Sequence, residues 1–220
     1  MARQPRWVVP GLAHLVALPA LPGVSPFPAA ADRERFLAAL RESVGAEPLQ
    51  LHAYALLPHE VRALLTPEEP LALSRCMQAV GRRYVSTYNR LHHRAGTLWA
   101  GRFRCAAMQP GAWALSALLY VDGASAEPGV TSAAHRSGGP LTAVPLIDPP
   151  EYWALGNTPF ERESDYAQRL NEALPEAVTA QLRRCLSGGW VCGDDAFVQG
   201  IGAGAPRPAS PRPRGRPRRA

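Results

Sequence analysis

At 220 residues, 46% of them hydrophobic, the chain can fill one domain of about 130 residues and an extension, and no apolar run is long enough for a transmembrane helix. All 24 basic residues are arginine. Six of them (Arg207, Arg212, Arg214, Arg216, Arg218, Arg219) fall in the acid-free stretch 206–220, so with a formal net charge of +6 residues 1–205 are neutral and a globally basic fold is excluded.

In chain order, Trp7–Leu18 reads as an opening strand, followed by a proline-rich loop to Pro28. Arg3, Arg6 and the apolar run to Ala31 imitate a signal peptide. Pro10, Pro19, Pro22, Pro26 and Pro28 would break its helical core, and a cytoplasmic protein is expected instead. Asp32 caps a helix to Gly45 that buries Phe36, Leu37, Leu40 and Val44. Two apolar runs, Leu51–Leu57 and Val61–Leu65, flank a Pro-His-Glu turn and predict adjacent antiparallel strands. Strand alternation puts Glu60, Arg62 and Leu64 on one face and turns Val61, Ala63 and Leu65 towards a core. The spacing of Leu73, Met77, Val80, Tyr84, Tyr88 and Leu91 predicts a long helix over Leu71–Leu91. Its other side is basic, with Arg75, Arg82, Arg83 and Arg90, and runs into His92, His93 and Arg94. Gly96–Arg104 is strand-like, with Arg102 and Arg104 alternating around Phe103.

Pro110–Asp122 is a second packing helix containing Trp113, Leu115, Leu118 and Leu119, and Gly123–Pro150 reads as loop and linker. Thr158-Pro159-Phe160-Glu161 is a helix start, with a hydroxyl cap, a proline at the first position and a carboxylate three residues on. That helix should reach Leu174. Another should run from Pro175 to Leu186 and stop at Gly188-Gly189, and a short one should open at Asp194. From Gly200 the Pro/Arg/Gly/Ala tail lacks the means to build a core and is expected to be disordered. The element order implies an α+β fold, an antiparallel sheet with helices on one face. The expected divisions are 1–135 for the domain, 136–150 for a linker, 151–200 for a helical extension and 201–220 for the tail. Cys76, Cys105, Cys185 and Cys192 contain no Cys-x-x-Cys pair and read as isolated reduced thiols rather than zinc ligands.

One family resemblance is specific. Tyr54-x-Leu56-x-Pro58, Leu64-Leu65-Thr66-Pro67, Gly81-Arg82-Arg83-Tyr84-Val85, Tyr88-Asn89-Arg90 and Gly96-Thr97-Leu98-Trp99-x-Gly101-Arg102-Phe103-Arg104 occur in that order. Together they resemble a REP-associated tyrosine transposase, one of the single-tyrosine HUH transposases and endonucleases. The opening segment through Val8-Val9-Pro10-Gly11 and the stretch Trp153–Phe160 are similar to further parts of that family. The resemblance implies a ferredoxin-like HUH-type fold and an ancestral cleavage and joining of single-stranded DNA at hairpin-forming repeats. In that chemistry two histidines on one strand face hold a divalent ion against the scissile phosphate, and a tyrosine attacks the phosphorus. A polar residue four positions after the tyrosine completes the metal site.

This chain departs from the pattern where the chemistry lies. Glu60 and Arg62 stand at the histidine positions with Val61 between them, Tyr120 stands at the nucleophile and Ala124 at the polar residue. Glu60 could ligate Mg²⁺ or Mn²⁺, Arg62 stays protonated and cannot, and Ala124 has nothing to donate. His59 is adjacent to Glu60 but faces the other way on a regular strand. Tyr120 therefore reads as a packed helix residue, and no cofactor is expected unless Glu60 supports one. The family's polar run after the first strand is replaced by the apolar Ala17–Pro28. His14 matches a family histidine and reads as structural.

Arg82, Arg83, Arg90, Arg94, Arg102 and Arg104 are candidate contacts to single-stranded or hairpin DNA. Arg212, Arg214, Arg216 and Arg218 are candidate contacts to duplex, either as a minor-groove hook built on Arg214-Gly215-Arg216-Pro217 or as a polycationic tether. The sequence thus reads as a transposase-derived DNA-binding protein with a degenerate site. An active tyrosine nuclease using Glu60 and a relic with neither property are the competing readings. The DNA target and the oligomeric state are not legible.

Overall fold

The paired apolar runs become a hairpin. In the computed structural model, which describes residues 6–127, 129–139, 142–203 and 207–211, strands β2 (Leu49–Leu56) and β3 (Glu60–Pro67) pair antiparallel, with Leu56 opposite Val61. Two more strands complete the sheet, β1 (His14–Pro19) and β4 (Arg104–Ala107). The order is β2-β3-β1-β4, and every pair is antiparallel. Helix α1 (Ala30–Gly45) connects β1 to β2, and α2 (Ala72–Leu91) connects β3 to β4. This is a ferredoxin-like βαββαβ arrangement: the element order implied its α+β class, and the resemblance implied the ferredoxin-like topology.

The first face of the sheet packs on α1 and α2. Val16, Leu18, Val61, Ala63 and Leu65 meet Phe36, Leu73, Val80 and Tyr84 there. Leu51, Tyr54 and Leu56 share this face because a bulge at His52 resets the alternation of β2. Tyr84 and Tyr88 donate to the carbonyls of Pro26 and Ser25 at 2.5 and 2.9 Å, which pins the proline-rich loop to α2. Leu91, expected on the apolar stripe, is exposed; His92 stacks on Tyr88 instead, ring centroids 4.2 Å apart.

The second face is also covered, so the helices divide between both faces of the sheet. Ala17, Ala53, Ala55, Leu64 and Ala106 lie under α3 (Ala112–Asp122), α5 (Pro159–Glu172) and α6 (Glu176–Gly188). The four alanines keep this face low and let α3 approach closely. Helix α3 is apolar around most of its circumference, as a helix buried between two layers requires. Short helix α4 (Pro150–Trp153) precedes α5, and α7 (Asp195–Gly202) follows α6.

Several boundaries differ from the sequence reading, each for a physical reason. The opening strand begins at His14, because Pro10 has no N–H to donate and Gly11 turns the chain at φ +80°. Asp32 is the third residue of α1 rather than its cap; its Oδ2 accepts the Ala29 N–H at 3.2 Å. Gly96–Phe103 is irregular apart from a bridge between Ala20 and Trp99, so Arg102 precedes β4 and only Arg104 is on a strand. The Thr158 capping box, the left-handed Gly189 after α6 and the Asp194 cap of α7 are as expected.

The supposed linker and the start of the tail cover the sheet's two edges. On the β2 side, Leu56 donates to Val130 O, Ser132 to Tyr54 O and Ile147 to Leu51 O, at 2.8–3.0 Å. A 3₁₀ turn at Ala133–Arg136 lies within this segment, and Arg136 is fully buried. Beyond β4, Cys192 donates to Ala107 O and Val191 to Ala209 O. Trp7 Nε1 donates to Pro208 O at 3.0 Å, and Ala209 is buried. An edge strand leaves a row of N–H and C=O groups open, and any adjacent segment can satisfy them whatever its side chains. A loop-like composition therefore did not mark these stretches as loose.

Candidate functional site

Strand register builds the floor of the cleft. Arg62 of β3 and Arg104 of β4 both stand opposite Ala17 of β1, so the row Arg62–Ala17–Arg104 crosses one face of the sheet. The alanine methyl leaves a hollow between two guanidinium stems. Tyr120 closes it from α3, with its ring buried and the Arg62 Cζ 4.5 Å from the ring centroid. The cavity of about 300 Å³ is lined by Ala17, Glu60, Arg62, Arg104, Tyr120 and Arg183, with Leu186 and Ser187 behind. Arg183 comes from α6, where the neighbouring Tyr120 side chain raises its pKa above the usual arginine range. Glu60 and Tyr120 thus line one cleft.

Arg62 and Glu60 are bound to each other rather than to anything in the cleft. Nε of Arg62 donates to Glu60 Oε1 at 2.6 Å, and Nη2 forms an ion pair with the same oxygen at 2.5 Å. The side chains retain 17% and 27% of their exposure, so the pair is partly desolvated and each charge is answered. A divalent ion does not fit this donor set. The one carboxylate already holds a guanidinium, and a second cation would have to sit beside that positive charge. Ala124 lies beyond the end of α3 at Asp122, outside the cavity lining, so it does not continue the helical face of Tyr120. His59 is exposed in the β2–β3 turn and is likewise absent from the lining. Among the described residues no cluster of three His, Cys, Asp or Glu side chains is placed to hold a metal.

The candidate DNA-contacting arginines separate into two groups. Arg83 is tied to Glu42 at 3.2 Å and to Ser43 Oγ, and Arg94 donates to Thr97 O. Arg82, Arg90, Arg102 and Arg104 are exposed and make no side-chain hydrogen bond or ion pair among the described residues. Three of these four line connected hollows. The Tyr120 cleft shares Arg104, Leu186 and Ser187 with a second cavity of about 300 Å³, which also contains Arg6, Arg102 and Arg207. That one shares Arg6, Arg102 and Phe103 with a cavity of about 610 Å³ that reaches Trp99 and Arg82. Among the described residues, Glu60 is the only acidic one lining the three. Arg212, Arg214, Arg216 and Arg218 lie outside the described residues.

Sequence reasoning missed Arg183 and Arg6. Arg183 sits next to Arg184 in an ordinary amphipathic helix. Arg6 lies before the first strand, its Cζ 3.7 Å from the Phe103 ring centroid and its Nε donating to Phe103 O. Also missed was a buried hub behind the cleft. Asp122 accepts from Ser132 Oγ at 2.5 Å, Tyr166 Oη at 2.7 Å and Arg136 Nη1 at 3.3 Å. Burial pushes the Asp122 carboxyl upward against the pull of Arg136 and these donors. Arg136 Nη2 donates to His52 O at 2.6 Å, and its Nε lies 2.8 Å from Asp148 Oδ1, poorly aimed for a hydrogen bond. The hub ties the end of α3 to α5 and to the β2 edge. The one sequence signal for it was a carboxylate ending an apolar helix.

No helix among the described residues is long and apolar enough to cross a membrane. No protein-family model and no curated protein matches the chain. Among solved structures, it is similar to a REP-associated tyrosine transposase bound to a REP hairpin. That match has 14% identity and a TM-score of 0.47, over 55% of this chain and 70% of that one. It is also similar to a protein of Deinococcus radiodurans R1 provisionally assigned as a transposase, at 22% identity and a TM-score of 0.37, over 50% of this chain and 88% of that one. Neither likeness assigns a role to any residue here.

Proposed function

We propose that the protein is a cytoplasmic, transposase-derived DNA-binding protein whose HUH-type site no longer cleaves. The domain binds single-stranded or hairpin DNA, and the arginine-rich tail engages duplex. The ordered motifs between Tyr54 and Arg104 support the descent, as does the βαββαβ order into which they fold. The observation that carries the loss of activity is the Arg62–Glu60 ion pair beneath the Tyr120 ring, which stands where two metal-binding side chains belong. A positioned metal supplies several kcal/mol of transition-state stabilisation, and each ~1.4 kcal/mol is a factor of ten in rate. Tyr120 without that charge faces an unactivated phosphodiester.

The test is a hairpin oligonucleotide with single-stranded flanks, incubated with the protein in Mg²⁺ or Mn²⁺. Binding without nicking, and no covalent protein–DNA adduct on a denaturing gel, is the expected result, unchanged in Tyr120→Phe. Metal-dependent nicking with an adduct that vanishes in Tyr120→Phe would restore the active-nuclease reading, with Glu60 as ligand. A protein that binds no DNA would instead be a relic.

A further inference from the structure

The same cleft carries a more specific assignment, which rests on the DNA-binding reading above. We infer that the hollow under Tyr120 is a metal-independent phosphate site, in which Arg62, Arg104 and Arg183 hold one phosphodiester of a bound nucleic-acid strand. The strand's backbone continues along Arg102 and Arg82.

Four observations converge on this. The register places Arg62 and Arg104 on either side of Ala17, so two guanidiniums from the strands flanking β1 border a floor that is only a methyl group high. Arg183 enters the lining from α6, with its Nη1 3.6 Å from Glu176 Oε1 in an exposed pair, which leaves a third guanidinium at the mouth. Three cations face one carboxylate, so the lining is positive before any ligand arrives. Finally, Glu60 engages only Nε and Nη2 of Arg62, through a single oxygen. The Nη1 group makes no hydrogen bond among the described residues and remains able to donate to an anion.

Glu60 thus acts as a positioning residue. It fixes Arg62 over the Tyr120 ring and lowers the local charge by one, and it takes no part in holding the phosphate. Guanidinium suits the task, because its planar donors match the paired oxygens of a phosphodiester. The shared walls between the three cavities then lead the strand away from the cleft, past Arg102 and Phe103 to Trp99 and Arg82.

The assignment predicts an inversion. At a metal site, removing the carboxylate weakens binding; at an arginine site, it strengthens binding. The experiment titrates a fluorescein-labelled hairpin oligonucleotide with a single-stranded flank, by anisotropy and at matched ionic strength. The full chain is compared in EDTA and in Mg²⁺. Affinity should agree within about twofold between the two conditions. Arg104→Gln and Arg183→Gln should each weaken binding about tenfold, as for the loss of one charge-assisted hydrogen bond, and lower the log–log salt slope by about 0.7. Glu60→Gln should tighten binding. Arg169→Gln, on α5 away from the cleft, should change nothing, and melting curves would verify that each variant folds. Hairpin binding that needs Mg²⁺, that weakens in Glu60→Gln, or that ignores both arginine substitutions would overturn the phosphate site while leaving the DNA-binding reading intact. Failure of the unaltered chain to bind in either condition would overturn both.

Discussion

Lowering the pH from 7 to 4 should cost the protein about 3 kcal/mol of folding stability through His14 alone. The ring is fully buried at the start of β1, and its two nitrogens have opposite roles. Nε2 accepts the Val9 N–H at 3.1 Å, so Nδ1 carries the proton and donates to Leu12 O at 2.7 Å. A second proton would go on Nε2, against the Val9 N–H and out of reach of water. Burial accordingly lowers the His14 pKa from 6.5 to about 4, although the bond to Leu12 pulls the other way. The unfolded chain therefore takes up a proton below pH 6.5 that the folded chain refuses until about pH 4. Stability is undiminished above that window, declines through it and levels off below. The interval, at roughly 1.4 kcal/mol per unit, gives the 3 kcal/mol.

Urea unfolding at both pH values would measure this. For an m-value of about 2–3 kcal/mol/M, the midpoint attributable to His14 should fall by roughly 1–1.5 M. H14N supplies an acceptor and a donor but cannot be protonated, so its midpoint should fall by less, by that amount. His52, whose pKa burial also lowers, contributes alike to both proteins and drops out of the difference. Equal losses in the two proteins, or a His14 ring that titrates near 6.5 by NMR, would refute the structural assignment of this histidine.

Two further outcomes follow from the same structure. Arg136→Met leaves the Asp122 carboxylate buried without its cation and should cost about 3–5 kcal/mol. Adding Asp122→Leu should recover a large part of that loss in denaturant unfolding, and strictly additive costs would disprove the coupling. Deleting residues 212–220 should weaken duplex binding and reduce its log–log salt slope by about 0.9 for each phosphate that the tail neutralises, whereas an unchanged slope would eliminate the tail as a tether. A specific minor-groove hook further requires Arg216→Ala to cost more on A·T-rich than on G·C-rich duplex.

The sequence by itself determined what depends on local periodicity and local chemistry. The alternation around Pro58-His59 specified the β2–β3 hairpin and put Glu60 and Arg62 on one face. The apolar stripe from Leu73 to Tyr88 specified α2, and Thr158, Gly189 and Asp194 marked helix ends because capping is an interaction between near neighbours in the chain. The resemblance to a known family, rather than any local pattern, singled out Tyr120 beside Glu60. Only the tertiary structure decided what lies around that pair. The β1 register chose Ala17 as the partner of both Arg62 and Arg104, and the docking of α6 brought Arg183 into the cleft under Tyr120. The edge pairing at Val130, Ser132, Ile147 and Ala209 runs through backbone groups, and backbone hydrogen bonds leave no mark in composition. Arg136 likewise reads as a polar loop residue until Asp122, Asp148 and the His52 carbonyl converge on it in space. Contacts between residues so far apart in the chain carry no period, and a single sequence cannot display them.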